Sequence, residues 1–238
     1  MSIVKEIQEA LAVLSIPEKA EFFPRFFKTG KGEYGEGDLF LGVKVPDQRS
    51  VAKEYYHQIS LEELSILLSS EYHEYRLTAL FMLISKFEKT KDKAVKEEVI
   101  RFYLAHLPYV NNWDLVDSSC YKILGRYAFE NHKENLLREL SESEEMWYKR
   151  IAVVGTMHYI KKGLFDLTKE FVTRNMKHPH DLMHKANGWL LREMGNKNES
   201  ELIEYLNQYY KEMPRTCLRY AIEKLDEDLR QDYLKGRI

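Results

Sequence analysis

The chain has 238 residues, of which 44% are hydrophobic and 31% charged, and its formal net charge is −2. This length suits one sizeable core or one extended helical array, and the composition is that of an ordinary globular protein. No apolar run approaches the roughly 20 residues of a membrane span. The net charge argues weakly against a nucleic-acid binder, because such proteins usually carry a basic footprint.

A glycine-rich segment, residues 29–46 (TGKGEYGEGDLFLGVKVP), separates the first predicted helix pair from the rest of the chain. The segment lacks the Gly-Lys-Ser/Thr ending of a phosphate-binding loop, is acidic, and follows no predicted strand. We therefore interpret it as a mobile connection between helices.

Helical periodicity dominates the rest and predicts an all-α fold. SLEELSILLSS (60–70) opens with Ser60 and Glu63 at the spacing of a capping box. Apolar residues recur every three or four positions in EYRLTALFMLISKF, WYKRIAVVGTMHYI, DLMHKANGWLLREM and PRTCLRYAIEKL. No segment shows a convincing alternating strand pattern.

The helical segments also repeat along the chain. A spacing of 37 residues separates Arg76, Trp113, Arg150 and Asn187, and each of these segments is followed by a shorter amphipathic one. Two helices in roughly 35–45 residues is the pattern of HEAT-like stacking. We predict one domain over residues 1–238, a HEAT-like helical-repeat solenoid (an α-α superhelix) with a concave binding face.

Positive charge is concentrated in residues 145–195, which hold nine Lys/Arg against five Asp/Glu. A basic face on an otherwise acidic body fits this distribution, and a solvated helix surface explains it about equally well. Cys120 and Cys217 have no metal-type spacing, so we expect a reduced, cytoplasmic protein.

Two residues of NNWDLVDSS, Trp113 and Asp117, are one helical turn apart and so share a helical face. Taken singly, a tryptophan is most often buried in a core and such an aspartate is most often a helix cap. Arg150 in MWYKRIAVV, taken singly, is most often half of a surface ion pair of little energetic value.

A second stripe, Lys185, Trp189 and Arg192, is unusually polar for a core face. Three histidines lie just before it or within it, at positions 178, 180 and 184. No acidic third ligand is suitably placed and Pro179 interrupts the pattern, so a cluster at a helix entry is favoured over a metal site.

Five segments resemble the AlkD-like DNA alkylation-repair glycosylases, which are HEAT-like helical-repeat proteins. These segments follow the order expected for the family: FLGVKVPDQR (40–49), NNWDLVDSS (111–119), WYKRIAVV (147–154), ANGWLLRE (186–193) and PRTCLRYAIEKL (214–225). The W-D-x-V-D core and the G-W-x-L-R-E segment are the most specific of them.

The resemblance implies a monofunctional glycosylase that hydrolyses the N-glycosidic bond of N3- or N7-alkylated purines in double-stranded DNA. By position, Asp117 becomes the catalytic carboxylate, and Trp113 and Trp189 become aromatic walls beside the lesion nucleotide. The base is expected to stay stacked, and no metal, flavin or iron–sulfur cofactor is implied. The expected DNA-binding residues are Arg49, Lys149, Arg150, Lys185 and Arg192.

The chemistry suits these residue types. An alkylated purine is cationic and leaves without protonation, so a carboxylate at Asp117 has to stabilise the positive charge that develops on the sugar. Each tryptophan face can attract a cationic nucleotide by roughly 0.5–2 kcal/mol. Two positions depart from the family: Gln48 stands where a basic residue can occur, and Asp181 or Leu182 replaces an aromatic helper.

The alternative is a non-catalytic HEAT-like protein that binds distorted or branched DNA, or a protein partner, on the same face. Trp113, Trp189 and Arg150 suit that function equally well, so the enzymatic prediction depends on Asp117. In either case we expect a monomer that does not bind membranes.

Overall fold

The computed structural model describes residues 2–238, and those residues confirm the predicted all-α class. The helices are α1 (Ile3–Val13), α2 (Pro17–Phe26), α3 (Val45–Tyr55), α4 (Leu61–Leu68), α5 (His73–Lys89), α6 (Lys93–Ala105), α7 (Trp113–Cys120), α8 (Arg126–Glu130), α9 (Glu134–Glu142), α10 (Met146–Gly155), α11 (Met157–Lys161), α12 (Asp166–Arg174), α13 (Asp181–Lys197), α14 (Glu199–Tyr209), α15 (Arg215–Ala221) and α16 (Glu227–Lys235). A 3₁₀ turn (Leu107–Tyr109) precedes α7, and a π-helical segment (Tyr121–Gly125) follows it. Within residues 2–238, no helix has both the length and the apolar character needed to cross a bilayer.

Two compact units make up the fold, one ending at Ser119 and one running from Cys120 to Ile238. In the first, α5 packs against α3, α4 and α6, and α1 packs against α3 and α4. In the second, α13 packs against α10, α14 and α15. The single HEAT-like domain and its concave face stay predictions.

The first unit is built around α5 (HEYRLTALFMLISKFEK), which is buried on every side from Arg76 to Ile84. The preceding helix, α4, begins at the predicted capping box. Glu63 N donates to Ser60 Oγ at 3.2 Å, and Ser60 N donates to Glu63 Oε2 at 2.9 Å. These two bonds confirm the helix start predicted from the sequence.

The second half of the glycine-rich segment is anchored, which corrects the expectation of a mobile connection. The buried Glu74 carboxylate accepts hydrogen bonds from three successive backbone N–H groups, those of Leu41 (3.0 Å), Gly42 (2.8 Å) and Val43 (3.3 Å). Leu39 forms a parallel bridge with Tyr72 just before α5. The glycine content gave no sign of this anchor because the carboxylate lies more than thirty residues further along the chain.

The 37-residue spacing does not mark equivalent positions in successive helices. The helices that carry the four spaced residues begin at 73, 113, 146 and 181, at intervals of 40, 33 and 35 residues. Arg76, Arg150 and Asn187 are buried, whereas Trp113 is half-buried and is the first residue of its helix. The repeat is therefore irregular, and the 37-residue spacing does not by itself place these four residues on one face.

We expect Gly42→Ala to destabilise the protein far more than Gly32→Ala. Both glycines have positive φ, which costs an alanine roughly 1–2 kcal/mol. A Cβ on Gly42 would also lie 2.2 Å from the Ile16 carbonyl oxygen, whereas a Cβ on Gly32 has open space. The additional cost at Gly42 should be about 2 kcal/mol, measured as the free energy of unfolding in urea. Equal costs for the two variants would contradict the tight approach at Gly42.

Candidate functional site

A buried ion cluster fixes the start of α7. His73 Nδ1 lies 2.9 Å from Asp38 Oδ2, and His73 Nε2 lies 2.8 Å from Asp114 Oδ2. Because both ring nitrogens face carboxylates, the imidazole carries both protons and is a cation. Burial alone lowers the pKa of His73, but the Asp114 charge and the hydrogen bonds to both carboxylates outweigh it and raise the pKa to about 9.

Arg76 extends the cluster toward the NNWD motif. Its Nη2 lies 2.5 Å from Asp38 Oδ2, and its Nη1 donates to Asn111 Oδ1 at 2.6 Å. Burial raises the pKa of Asp38, but its hydrogen bond to His73 and the Arg76 charge outweigh that and hold the pKa below its usual value. Trp113 N donates to Asn112 Oδ1 at 2.8 Å, so both asparagines of the motif position the backbone at the beginning of α7.

Trp113 belongs to an aromatic cluster as well as to the candidate site. The Phe27 ring stacks on the Trp113 ring with centroids 5.4 Å apart and planes 16° apart, and Phe26 makes an edge contact at 5.8 Å. Phe27 stacks in turn on Phe40 at 5.1 Å. One face of the Trp113 ring is therefore covered by protein, while the residue as a whole stays half-buried.

The two aspartates of W-D-x-V-D have different positions. Asp114 bonds to His73 inside the ion cluster, whereas Asp117 lies one turn after Trp113 on α7 and is half-buried. Asp117 stays the candidate reactive carboxylate that the resemblance implies. The bond to His73 assigns Asp114 a positioning function that the sequence did not reveal.

In the second unit, Arg150 is more buried than the predicted phosphate contact implied. Its side chain is 4% exposed, and its Nη1 donates to the Leu182 carbonyl oxygen at the start of α13. Arg150 therefore ties α10 to α13, and its contact with DNA stays a prediction. Lys149, its neighbour, is half-buried.

Helix packing explains the glycine of the G-W pair in ANGWLLRE. A Cβ on Gly188 would lie 2.4 Å from the Cys217 carbonyl oxygen, so the absence of a side chain lets α13 approach α15 closely. Trp189 follows on α13, is half-buried, and donates its indole N–H to Glu193 Oε1 at 3.2 Å. The second predicted aromatic wall is thus held at its polar edge by a glutamate.

Much of the positive charge in residues 145–195 is paired within the second unit. Arg192 contacts Glu223, and Lys185 Nζ lies 2.8 Å from Asp181 Oδ2. Of the nine Lys/Arg residues in 145–195, ion pairs engage Lys169, Arg174, Lys177, Lys185 and Arg192. In the first unit, the Arg49 guanidinium lies over the Phe81 ring, 3.9 Å from its centroid, while the side chain as a whole stays exposed.

The three histidines before Trp189 form the predicted helix-entry cluster. His180 Nδ1 accepts from Leu182 N at 3.2 Å, and His178 Nδ1 accepts from His180 N at 3.1 Å. A ring nitrogen that accepts a hydrogen bond carries no proton. Burial lowers the pKa of His178 and of His180, which favours the neutral rings that these hydrogen bonds require. The residues from 2 to 238 contain no group of three His, Cys, Asp or Glu side chains arranged to hold a metal ion.

Comparison with known proteins identifies the family. A family model described as DNA alkylation repair enzyme matches residues 7–225. The chain therefore belongs to the family of DNA alkylation repair enzymes, which confirms the resemblance found in its motifs and places it among DNA-repair proteins.

A solved structure described as a predicted DNA alkylation repair enzyme from Enterococcus faecalis has a similar fold. It is 20% identical, the match covers 90% of this chain and 97% of that chain, and the TM-score is 0.70. At this identity the likeness supports the fold alone, the all-α helical-repeat fold of DNA alkylation repair enzymes. No curated protein matches the chain.

The ion cluster predicts a stability that falls with rising pH. The pKa of His73 is raised from 6.5 to about 9 on folding, so its contribution is complete below pH 6.5 and is lost as the pH rises to about 9. We expect the free energy of unfolding to fall by up to about 3 kcal/mol across this window. Urea titrations at several pH values measure the fall.

The His73→Gln variant should lack this pH dependence, while substitution of the exposed His57 by Gln should retain it. A wild-type stability that is flat from pH 6.5 to 9 would mean that His73 is neutral in the folded state. At the acid end, the lowered pKa of Asp38 predicts that its contribution is lost as the pH falls below 3.8.

Proposed function

We propose that this protein is a DNA glycosylase that releases N3- or N7-alkylated purines from double-stranded DNA. Family membership supports a function in DNA alkylation repair. The observation that carries the finer assignment is Asp117, a half-buried carboxylate one turn after a partly accessible tryptophan on a helix whose start is fixed by buried charges. A carboxylate in this setting suits a reaction that develops positive charge.

In the proposed reaction, the bond between the sugar C1′ and the purine nitrogen breaks, and the bonding electrons neutralise the cationic base. Asp117 stabilises the positive charge that develops on the sugar and orients a water molecule. The water oxygen bonds to C1′ and its proton is lost to solvent, so an abasic site and a neutral free base are formed. This route needs no cofactor.

The surrounding residues bind and orient the DNA. The accessible face of Trp113 and the Trp189 ring contact the nucleotide that carries the lesion, and the base stays stacked in the duplex. The proposed phosphate contacts come from Arg49, Lys149, Arg150, Lys185 and Arg192. Because Lys185 and Arg192 already pair with carboxylates, each should contribute less to affinity than an unpaired cation.

Two neighbouring aspartate variants separate chemistry from folding. We expect Asp117→Asn to slow release of methylated purines by about 10²–10³-fold, the scale of removing one transition-state electrostatic contact. Asp114→Asn should instead lower the melting temperature, because it leaves the His73 cation with one carboxylate. Base release is measured by chromatography and stability by thermal unfolding.

Unchanged release by Asp117→Asn would remove the proposed catalytic residue. If the wild type binds duplex DNA in a salt-dependent manner but releases no base, the non-catalytic binding protein becomes the better account.

Replacement of Trp113 tests its contact with the lesion. Trp113→Ala should slow base release more than it weakens binding to undamaged DNA, and it should also lower stability because Phe27 loses one of its stacking partners. Trp113→Phe keeps an apolar ring against Phe27 and serves as the matched variant for stability. Equal losses of base release and of undamaged-DNA binding in Trp113→Ala would mean that the residue is only structural.

A further inference from the structure

A serine–histidine pair joins two helices of the first unit, and neither residue belongs to the site proposed for base release. Ser65 Oγ on α4 lies 2.7 Å from Nε2 of His106, the residue that follows α6. A hydroxyl within hydrogen-bond distance of an imidazole nitrogen is the arrangement that activates a serine nucleophile. The surroundings of the pair decide whether it can react in this way.

A second hydrogen bond determines which nitrogen of His106 carries the proton. His106 Nδ1 lies 2.8 Å from the Phe102 carbonyl oxygen. Because a carbonyl oxygen can only accept, Nδ1 is the donor, and Nε2 of the neutral ring is then an acceptor. The Ser65 hydroxyl therefore donates to Nε2, and His106 is the tautomer that can take the serine proton.

The orientation of the His106 ring is also fixed. The Phe102 ring stacks on the imidazole with centroids 4.0 Å apart and planes 25° apart, and the Tyr109 ring lies at 6.1 Å. In a catalytic triad, a carboxylate on the second ring nitrogen fixes the tautomer and the orientation of the histidine. Here the Phe102 carbonyl fixes the tautomer, and the Phe102 ring fixes the orientation.

The hydroxyl of Ser65 differs from those of other helical serines in the chain. A serine within a helix can donate to the carbonyl oxygen one turn before it, which occupies its proton. Four serines make this bond to the residue four positions earlier: Ser50, Ser69, Ser85 and Ser119. Ser65 Oγ is instead directed at a base on another element.

A substrate can approach the pair from the surface. Ser65 and His106 are half-buried and line an open cavity of about 520 Å³, a volume within the roughly 300–1,000 Å³ of small-molecule sites. The lining also contains two exposed carboxylates, those of Glu62 and Glu98, and the exposed Arg101 guanidinium. The excess of negative charge disfavours an anionic substrate, so the cavity suits an uncharged one.

We propose that Ser65 and His106 form a second reactive centre, which hydrolyses uncharged esters of small carboxylic acids. Ser65 is the nucleophile and His106 is the general base. This activity is independent of base release, because the two reactions use different residues.

The reaction has two steps. Ser65 Oγ bonds to the ester carbonyl carbon while its proton passes to His106 Nε2; the bond to the alcohol oxygen then breaks, and that oxygen takes the proton from Nε2. Water next attacks the acyl-serine and gives a proton to Nε2, which returns it to Ser65 Oγ as the acid leaves. Arg101, in the same cavity, provides positive charge for the negative carbonyl oxygen of each intermediate.

Hydrolysis of p-nitrophenyl acetate by the full chain tests the proposal. Ser65→Ala and His106→Gln should each slow hydrolysis at least tenfold, because general-base activation of a nucleophile contributes roughly 10²–10⁴-fold. Their matched controls, Ser69→Ala and His57→Gln, change an exposed serine and an exposed histidine that do not line the cavity, so both should keep the wild-type rate. Melting temperatures report whether each variant folds.

The double variant Ser65→Ala/His106→Gln distinguishes a reacting pair from two structural residues. A nucleophile and its base act as a unit, so the double variant should be no slower than either single variant. Multiplied losses would mean that the two residues act separately, which contradicts the proposal.

A fluorophosphonate probe identifies the nucleophile directly, because an activated serine oxygen displaces its fluoride and stays bonded to phosphorus. Peptide mapping of the labelled wild type should find the probe on Ser65, and His106→Gln should not be labelled. Probe on another residue, or no probe at all, overturns the proposal. Hydrolysis that survives Ser65→Ala but not His106→Gln also overturns it, because the imidazole itself would then be the nucleophile.

Discussion

The His73 cation and its two carboxylates, Asp38 and Asp114, hold the functional part of the first unit in place. A buried charge is tolerated only when it is paired and hydrogen-bonded, and His73 meets both conditions through its two ring nitrogens. One carboxylate comes from the glycine-rich segment and the other from the first turn of α7. The cluster thus joins three distant pieces of sequence, and removal of either carboxylate leaves an uncompensated charge in the core.

The position of Trp113 follows from this arrangement. Asn112 receives its backbone N–H, and Phe27 covers one face of its ring. The same side chain is therefore a core aromatic on one side and a candidate ligand contact on the other. Neither interpretation from the sequence alone describes it fully, because the aromatic partner lies 86 residues earlier in the chain.

Local patterns predicted the local structure well. The all-α class, the capping box at Ser60 and the helix-entry histidines all depend on residues close together in sequence. The His73 cluster could not be predicted in this way, because its members come from 35 and 41 residues away and one lies in a segment whose glycines indicate mobility. The regular 37-residue spacing was also misleading, because it counts residues along the chain, whereas helix boundaries depend on caps and packing.

The proposed function depends on cleavage of the glycosidic bond, which a mass balance on one defined substrate measures. A duplex with a single 7-methylguanine is incubated with the wild-type protein, and free base and abasic sites are both quantified. We expect equal amounts of the two products, formed with no added cofactor. A duplex that stays intact, or that loses its methyl group while the base remains attached to the sugar, would contradict it.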